Sequence, residues 1–566
     1  MFSATERALR FLSSEVRGLQ AAAYVLAAAA LLSSLLALVR DRLLAHTFGA
    51  STVLDIYYAG FRIPDLIFVG TGALVSVYML IPELSRRNEE EQRRYIDTVI
   101  AGFSLFAIFI SIIVACAAPA VLAALFPSFS IPEMHDLVLI TRILLLQPIL
   151  LGLSNILAAI TQSRHRYMLY SLSPLLYNVG IIVGVQFFYP LWGIAGLAWG
   201  VAFGAFMHFA IQVPSIVADG FLRRFPRLSE PKALLRTVYL SVPRALALSM
   251  TQLTFLGLVA FAGGLSAGSI AVFMFAYNLQ AVPLAIIGAS YSVAAFPTLA
   301  AALSRGERDA FIEHVATAAR YVFFWSVPAS GLILILRAHL VRVILGSGHF
   351  DWTDTRLTAA AFALLSFALV AQGIQLLLVR AYYAAGRTFV PLLISILTAL
   401  GTLLLAWVSL HVLRDPYILH LTDALMRVAD VPGTEVLVLA FSYAIVTIIG
   451  SLVLTMHFEY RFRGFLAATW RAYWESTFAA FVGGLGAYVT LSLFSPVVST
   501  TTTLKVFLLG LGGGSVGIIA TMLAYAALGS REYKETLASV RARLWRRADT
   551  GADVTLVTSA EETQST

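Results

Sequence analysis

Arg40, Asp41 and Arg42 close the first long apolar stretch of the chain, and Asp55, Arg62 and Asp65 open the second. Arg142 lies in the fourth stretch, Arg244 early in the seventh, and the uncharged Asn278 and Gln280 in the eighth. A charge at the middle of a bilayer costs at least about 2.5 kcal/mol, so each ionisable group needs an aqueous cavity, a partner or a ligand. Arg40, Arg42 and Arg62 together would create a local positive field. Guanidinium binds phosphate through paired hydrogen bonds and keeps its charge when partly desolvated, so the pattern suits an anionic headgroup. Asp55 would then position an arginine or mark a gate that opens on protonation. Two plainer arrangements stay open: Arg40 and Arg42 reach an interface with their charged ends in water, or Arg40 pairs with Asp55 and Arg62 with Asp65, three residues on. The later part of the chain is poorer in such charges, with Arg320 and Arg380 close to the ends of their stretches.

The chain that must position these groups has 566 residues, of which 59% are hydrophobic, and a mean hydropathy of +0.84. Its 12% of charged residues is about half the roughly 25% of a soluble domain. Such a composition excludes a soluble enzyme, a disordered chain and a nucleic-acid-binding domain; a membrane enzyme, a channel and a transporter remain. The single cysteine, Cys116, rules out a disulfide or a Cys-based metal site within one chain. Fourteen apolar stretches long enough to span a bilayer fall at 22–44, 56–82, 98–125, 137–161, 168–188, 191–219, 237–262, 267–299, 313–336, 357–383, 389–412, 434–457, 473–494 and 503–528. They are too long for barrel strands, and the first is too long for the apolar core of a signal peptide. The expectation is an all-α integral membrane protein.

With the N-terminus in the cytoplasm, 26 of the 39 Lys and Arg residues fall in cytoplasmic segments. The opposite side holds only Arg337, Arg342, Arg356, Arg414, Arg427 and Lys505. This bias supports an even number of spans with both ends inside. The sequence also resembles itself at an offset near 220: Arg166 matches Arg387, Pro64 matches Pro283, and Pro82-Glu-Leu-Ser matches Pro297-Thr-Leu-Ala. Six spans separate the copies, so both share one orientation. The expected organisation is a cytoplasmic segment 1–21, a six-helix lobe 22–219, a cytoplasmic loop 220–236, a second six-helix lobe 237–457 as a parallel repeat, two further helices within 473–528, and a cytoplasmic tail 529–566. Parallel repeats of this kind are a transporter plan, with the site between lobes near the midplane. Prolines within spans (Pro64, Pro148, Pro174, Pro243, Pro283 and Pro391) would bend helices around a central cavity.

Several segments carry a family resemblance. Leu38-Val-Arg-Asp, Phe48-Gly-Ala-Ser and Asp55-Ile-Tyr-Tyr-Ala-Gly-Phe-Arg-Ile-Pro-Asp-Leu resemble the start of the MurJ (MviN) family, the lipid II flippase branch of the multidrug/oligosaccharidyl-lipid/polysaccharide exporter superfamily. Arg166 through Asn178, Ala276 through Leu299 and Tyr383 through Pro391 are similar as well, so the likeness runs over about residues 20 to 530. It implies movement of a lipid-linked peptidoglycan precursor from the inner to the outer leaflet by alternating access, with a cationic cavity meeting the pyrophosphate. Arg40 stands at a cavity arginine of the family and Asp55 at an acidic position. Ser34, Phe68 and Asn278 stand where arginines are expected, Tyr277 where an acidic residue is usual, and Arg387 where the family often has Asp. The chain thus resembles a divergent member, in which Arg62, Arg142 and Arg244 are candidates to replace the missing charge.

The substrate-binding candidates are therefore Arg40, Asp55, Arg62, Arg142, Arg244 and Asn278. The expected partners are lipid II or a similar polyprenyl-pyrophosphate glycolipid and membrane lipids, with no nucleic acid and a monomeric chain. No cofactor or metal is called for. An exporter of another polyprenyl-linked glycan or of an amphipathic drug is the alternative. The chain shows no Gly-rich phosphate loop, no HExxH and no nucleophile–base pair, and His46 reads as an interfacial residue, so a membrane glycosyltransferase is disfavoured.

Overall fold

The computed structural model describes residues 19–412, 428–495 and 502–541, apart from 75–79, 82, 85, 165, 223, 224 and 540. Most of the expected terminal segments, together with Pro82, Arg414 and Arg427, lie outside the described residues. Among the described residues every regular element is a helix.

The first six expected spans become α1 (Leu19–Phe48), the pair α2 (Thr52–Gly60) and α3 (Arg62–Leu74), α4 (Glu89–Leu125), the pair α5 (Ile131–Leu144) and α6 (Leu146–Ser163), α7 (Tyr167–Val183) with a π-turn and the short α8 (Tyr189–Trp192), and α9 (Ile194–Ala210) with α10 (Val213–Ala218). The next six become α11 (Pro231–Ala262), α12 (Ser269–Leu284) continuing through a π-turn into α13 (Ser290–Ser304), α14 (Arg308–Ile344), the pair α15 (Trp352–Phe367) and α16 (Leu369–Ala384), α17 (Phe389–Val412) and α18 (Val436–Arg461). The last two are α19 (Phe465–Phe494) and α20 (Thr503–Leu528).

Eleven helices among the described residues are long and apolar enough to cross a membrane, and α15 with α16, bent by 42°, raise the number to 12. Fourteen is compatible with this: α1 is 30 residues long, and the α2–α3 span runs into residues outside the description. Prolines set several breaks. Pro64 has no N–H and its ring crowds the carbonyl four residues back; α2 stops at that residue, Gly60, and α3 begins at Arg62. Pro148 stands in the same relation to Leu144, where α5 stops before α6 resumes at Leu146. Pro283 lies two residues before the start of the Ala285–Ala289 π-turn.

The helices gather into two compact units, Met1–Val282 with Leu340–Ala368 and Gly386–Leu454, and Pro283–His339 with Leu369–Ala385 and Thr455–Thr566. In the first, α1 packs on α7 and α11 packs on α17. These are spans one with five and seven with eleven, the same pairing six spans apart. α3 packs on α6 in the first unit, and α13 on α16 in the second, which repeats the pairing of span two with four in span eight with ten. In the second unit α19 and α20 form a hairpin, with the Tyr525 hydroxyl donating to the Phe324 carbonyl of α14 at 2.8 Å.

Contact between α7 and α9 is backbone to backbone. A Cβ on Gly200 would lie 2.3 Å from the Gly184 Cα, and one on Gly184 would lie 2.5 Å from the Gly200 Cα. Close approach through small residues is the common adhesive of helices in lipid. Gly200→Leu is expected to cost at least about 2 kcal/mol, read as a lower thermal midpoint of the detergent-solubilised chain, with Gly200→Ala losing less.

Candidate functional site

Three polar groups in the first unit collect most of the candidate residues. The first centres on Arg40, near the end of α1. Its Nε and Nη2 donate to Asp41 Oδ1 at 3.0 and 2.8 Å, and its Nη1 donates to Asn178 Oδ1 of α7 at 3.0 Å. Asp41 Oδ2 accepts from Asn278 Nδ2 of α12 at 3.1 Å. Asn178 is turned by its own amide, which donates to the Pro174 carbonyl at 3.1 Å. The Asp41 side chain is 4% exposed and that of Arg40 19%. One network thus joins spans one, five and eight around a buried ion pair. Of the two alternatives for Arg40 the structure takes neither: its partner is the adjacent Asp41, which occupies the face of the guanidinium that an anionic ligand would use.

The second group sits at the proline-set breaks. Arg62 opens α3, is buried, donates Nε to the Tyr58 carbonyl at 3.1 Å, and places Nη2 3.6 Å from Asp65 Oδ2. The i, i+3 pairing expected from the sequence is present. Gln147, beside Pro148 at the start of α6, donates to Asp65 Oδ1 at 3.1 Å. Tyr58 lies within electrostatic reach of both Arg40 and Arg62, and Tyr57 within that of Arg40 and Asp65.

The third group is Asp55. Its carboxylate accepts from the Gly268 amide at 2.6 Å and the Ala271 amide at 2.9 Å, at the N-terminus of α12. A helix N-terminus offers unpaired N–H groups and the positive end of its dipole. Asp55 is buried and holds span two against span eight by capping another helix in place of that helix's own side chain.

Around Asp55 the turn after α1 is clasped from several sides. Arg42 donates to the Val343 and Ile344 carbonyls, at the C-terminus of α14. The His349 amide donates to the His46 carbonyl at 3.0 Å, and the Ala50 amide to Asp354 Oδ2 at 3.1 Å. Gly348 has φ +58 and a Cβ there would lie 2.2 Å from the His46 oxygen; Gly268 has φ +88 and a Cβ there would lie 2.3 Å from the Ala50 oxygen. Arg356 reaches Asp430 through two hydrogen bonds of 2.6 Å.

That last pair sets a pH limit. Bonding to Arg356 holds the Asp430 carboxyl down at about 2. A carboxyl depressed on folding contributes stability above its unfolded value of about 3.9 and loses it as pH falls through the folded value. The protection factor of the 428–433 amides, with the intrinsic pH dependence of exchange divided out, is therefore expected to stay flat from pH 8 to 5 and to fall only as pH drops from about 4 toward 2.

Two candidates remain, Arg142 and Arg244. Arg142 is exposed on α5 and donates to the Ala115 carbonyl of α4 at 3.1 Å; it joins none of the three groups. Arg244 is half-buried on α11, inside that helix's apolar stretch. Asp41, Asn178, Asp65 and Gln147 were not singled out as ligands from sequence. A signal was available for three of them: Asp41 is adjacent to Arg40, and Asp65 and Gln147 are each adjacent to a proline inside an apolar stretch.

A family profile described as "Lipid II flippase MurJ" matches residues 44–509. A probable lipid II flippase MurJ of Buchnera aphidicola is 27% identical over 385 residues, covering 65% of this chain and 74% of that protein. One from Thermotoga maritima is 27% identical over 371 residues, with 65% and 74% covered. Among solved structures, a lipid II flippase MurJ in an inward closed conformation aligns with a TM-score of 0.71 at 19% identity, covering 89% of this chain and 99% of that one. An inward-facing multidrug resistance MATE family transporter of the MOP superfamily aligns with a TM-score of 0.62 at 13% identity, covering 77% and 96%. The structural likenesses give the fold. The profile, which spans most of the length, gives the family: this chain belongs to the lipid II flippase MurJ family.

Proposed function

We propose that this chain moves lipid II, or a closely similar polyprenyl-pyrophosphate glycolipid, from the inner to the outer leaflet of a bacterial cytoplasmic membrane. The observation that carries this reading is Arg40, held by Asp41 and Asn178 while Asn278 bonds Asp41, in a member of the MurJ family. A sugar–pyrophosphate headgroup cannot cross hydrocarbon unaided; a polar path with a retained positive charge lowers that barrier. The pyrophosphate displaces Asp41 from Arg40 and draws on Arg62 nearby, while the polyprenyl chain stays in lipid.

The organisation follows the repeat. Residues 22–219 and 237–457 act as two six-helix lobes, 473–528 adds two helices, and the repeated pairings of spans one with five and seven with eleven support this division. Both ends lie in the cytoplasm, in keeping with the Lys/Arg bias. The contacts of Asp55, Arg42 and His46 then close the outer side, and transport alternates between that closure and one on the inner side. The chain acts as a monomer and carries out no catalytic step. Arg40, Arg62 and Asn278 meet the headgroup, Asp55 works the outer closure, and Arg142 and Arg244 stand as secondary contacts along the path.

Asn278 and Phe68, placed where arginines are expected from the family resemblance, favour a second reading in which the glycan differs from that of lipid II. One experiment addresses both: deplete the protein in cells without another flippase, and measure lipid II on the outer leaflet before and after complementation. A fall on depletion and recovery on complementation support the first reading. Unchanged outer-leaflet lipid II removes it and leaves the second.

A further inference from the structure

Helix α11 is longer than a bilayer requires. Its 32 residues extend about 48 Å, against about 30 Å of hydrocarbon, and its apolar stretch begins only near residue 237. Residues 231–236 therefore precede the apolar stretch, on the side of the Lys/Arg-rich loops. One face of this projection is fixed. Leu234 packs on Gly102 of α4, Tyr95 and Thr237 share a hydrogen bond of 2.8 Å, and the Ser229 and Glu230 amides donate to Thr98 Oγ1 at 3.1 Å each.

The opposite face is open. Lys232, Leu235, Arg236 and Tyr239 recur at i, i+3, i+4 and i+7 and are all exposed, Leu235 at 66% and Tyr239 at 79%. Arg227 and Phe225, the latter 94% exposed, stand just before the helix. Among the described residues no ion pair or hydrogen bond engages the side chains of Arg227, Lys232 or Arg236. The acidic groups nearby are already taken: Arg87 holds Glu230 at 2.6 Å and Glu83 at 3.6 Å. Along the same stripe the exposed residues then become wholly aliphatic, Val242, Leu246 and Leu253.

A helix face that passes from cations through a tyrosine into aliphatic residues has the polarity profile of a phospholipid, from phosphate through glycerol to acyl chain. We propose that this stripe is a binding site for an anionic phospholipid, with the phosphate between Arg227, Lys232 and Arg236 and an acyl chain along Val242, Leu246 and Leu253. The charge complementarity and the continuity with the apolar section select a leaflet lipid over a protein partner. The site pins the cytoplasmic end of α11 to the headgroup layer, a role independent of which glycolipid the chain transports.

The test uses the full chain, purified and titrated with phosphatidylglycerol or phosphatidylcholine, with bound lipid counted by native mass spectrometry. The wild type is expected to prefer phosphatidylglycerol, and Arg227→Gln/Lys232→Gln/Arg236→Gln to lose on the order of tenfold of that preference. Lys232→Arg and the control Arg94→Gln, at a cation paired with Glu90, are expected to keep it. A photoreactive residue at Tyr239 should crosslink phosphatidylglycerol above phosphatidylcholine. Unchanged preference in the triple variant, or equal crosslinking of both lipids, overturns the proposal.

Discussion

Arg40→Ala is expected to abolish delivery of lipid II to the outer leaflet, a fall of at least about 100-fold. Removing one member of a buried, hydrogen-bonded charge pair typically costs 2–5 kcal/mol, to be lost here from the interaction with the headgroup. The same change strands Asp41, whose side chain is 4% exposed, at a cost of about 3–5 kcal/mol to the fold. Loss of transport by the single variant is therefore ambiguous between binding and folding, and a second variant separates them. Arg40→Ala/Asp41→Ala leaves neither charge buried and should return to near wild-type abundance in the membrane while still failing to transport. If the double variant restores transport along with abundance, Arg40 serves only to neutralise Asp41 and the headgroup is held elsewhere. Asp41→Asn should retain the Asn278 contact and free Arg40, so it is expected to tighten binding of the pyrophosphate headgroup while slowing its release.

Asp55→Ala is expected to shift the chain toward a state open on the clasped side by on the order of 100-fold. Hydrogen bonds to a charged acceptor contribute about 1.5–3 kcal/mol each, and the amides of Gly268 and Ala271 would be left buried and unpaired. The shift can be read as the rate of maleimide labelling of Ser347→Cys in a Cys116→Ser background, with residue 347 lying in the turn that meets His46. Faster labelling in Asp55→Ala, with Asp55→Asn in between, matches the capping role. Labelling that does not change on loss of the carboxylate would show that Asp55 does not hold this side shut.

Much of the fold was legible because lipid leaves a chain few options. Apolar stretches of bilayer length become helices, and the Lys/Arg asymmetry argues for an even number of them. The proline positions went further, since Pro64 and Pro148 announce breaks whose locations, Phe61 and Leu145, follow from the carbonyl four residues back. The 42° bend between α15 and α16 carries no proline at the break and was not foreseeable by that rule. The site was legible only in part. Arg62 and Asp65 share one face of one helix, so spacing alone pairs them. The network around Arg40 draws on three helices far apart in sequence, and spacing cannot say that Asp41 rather than Asp55 would win. Asp55 stood out as an ionisable group at the opening of an apolar stretch, but its partners are backbone amides, which leave no trace in residue identity.

The clasp around the turn after α1 has a consequence for how such a chain tolerates change. Its contacts run largely through carbonyls and amides: His46 to His349, Ala50 to Asp354, and Arg42 to the end of α14. Each contact has a main-chain group on one side, so only the three side chains that supply the other half, Arg42, Asp55 and Asp354, should register when the turn is trimmed to alanine. A second kind of sensitive place is Gly348 and Gly268, where adding a single carbon pushes two stretches of chain apart. Drift in this region should therefore be broad in residue type outside those five positions and narrow in volume, and a lineage could rewrite the other side chains without losing the seal.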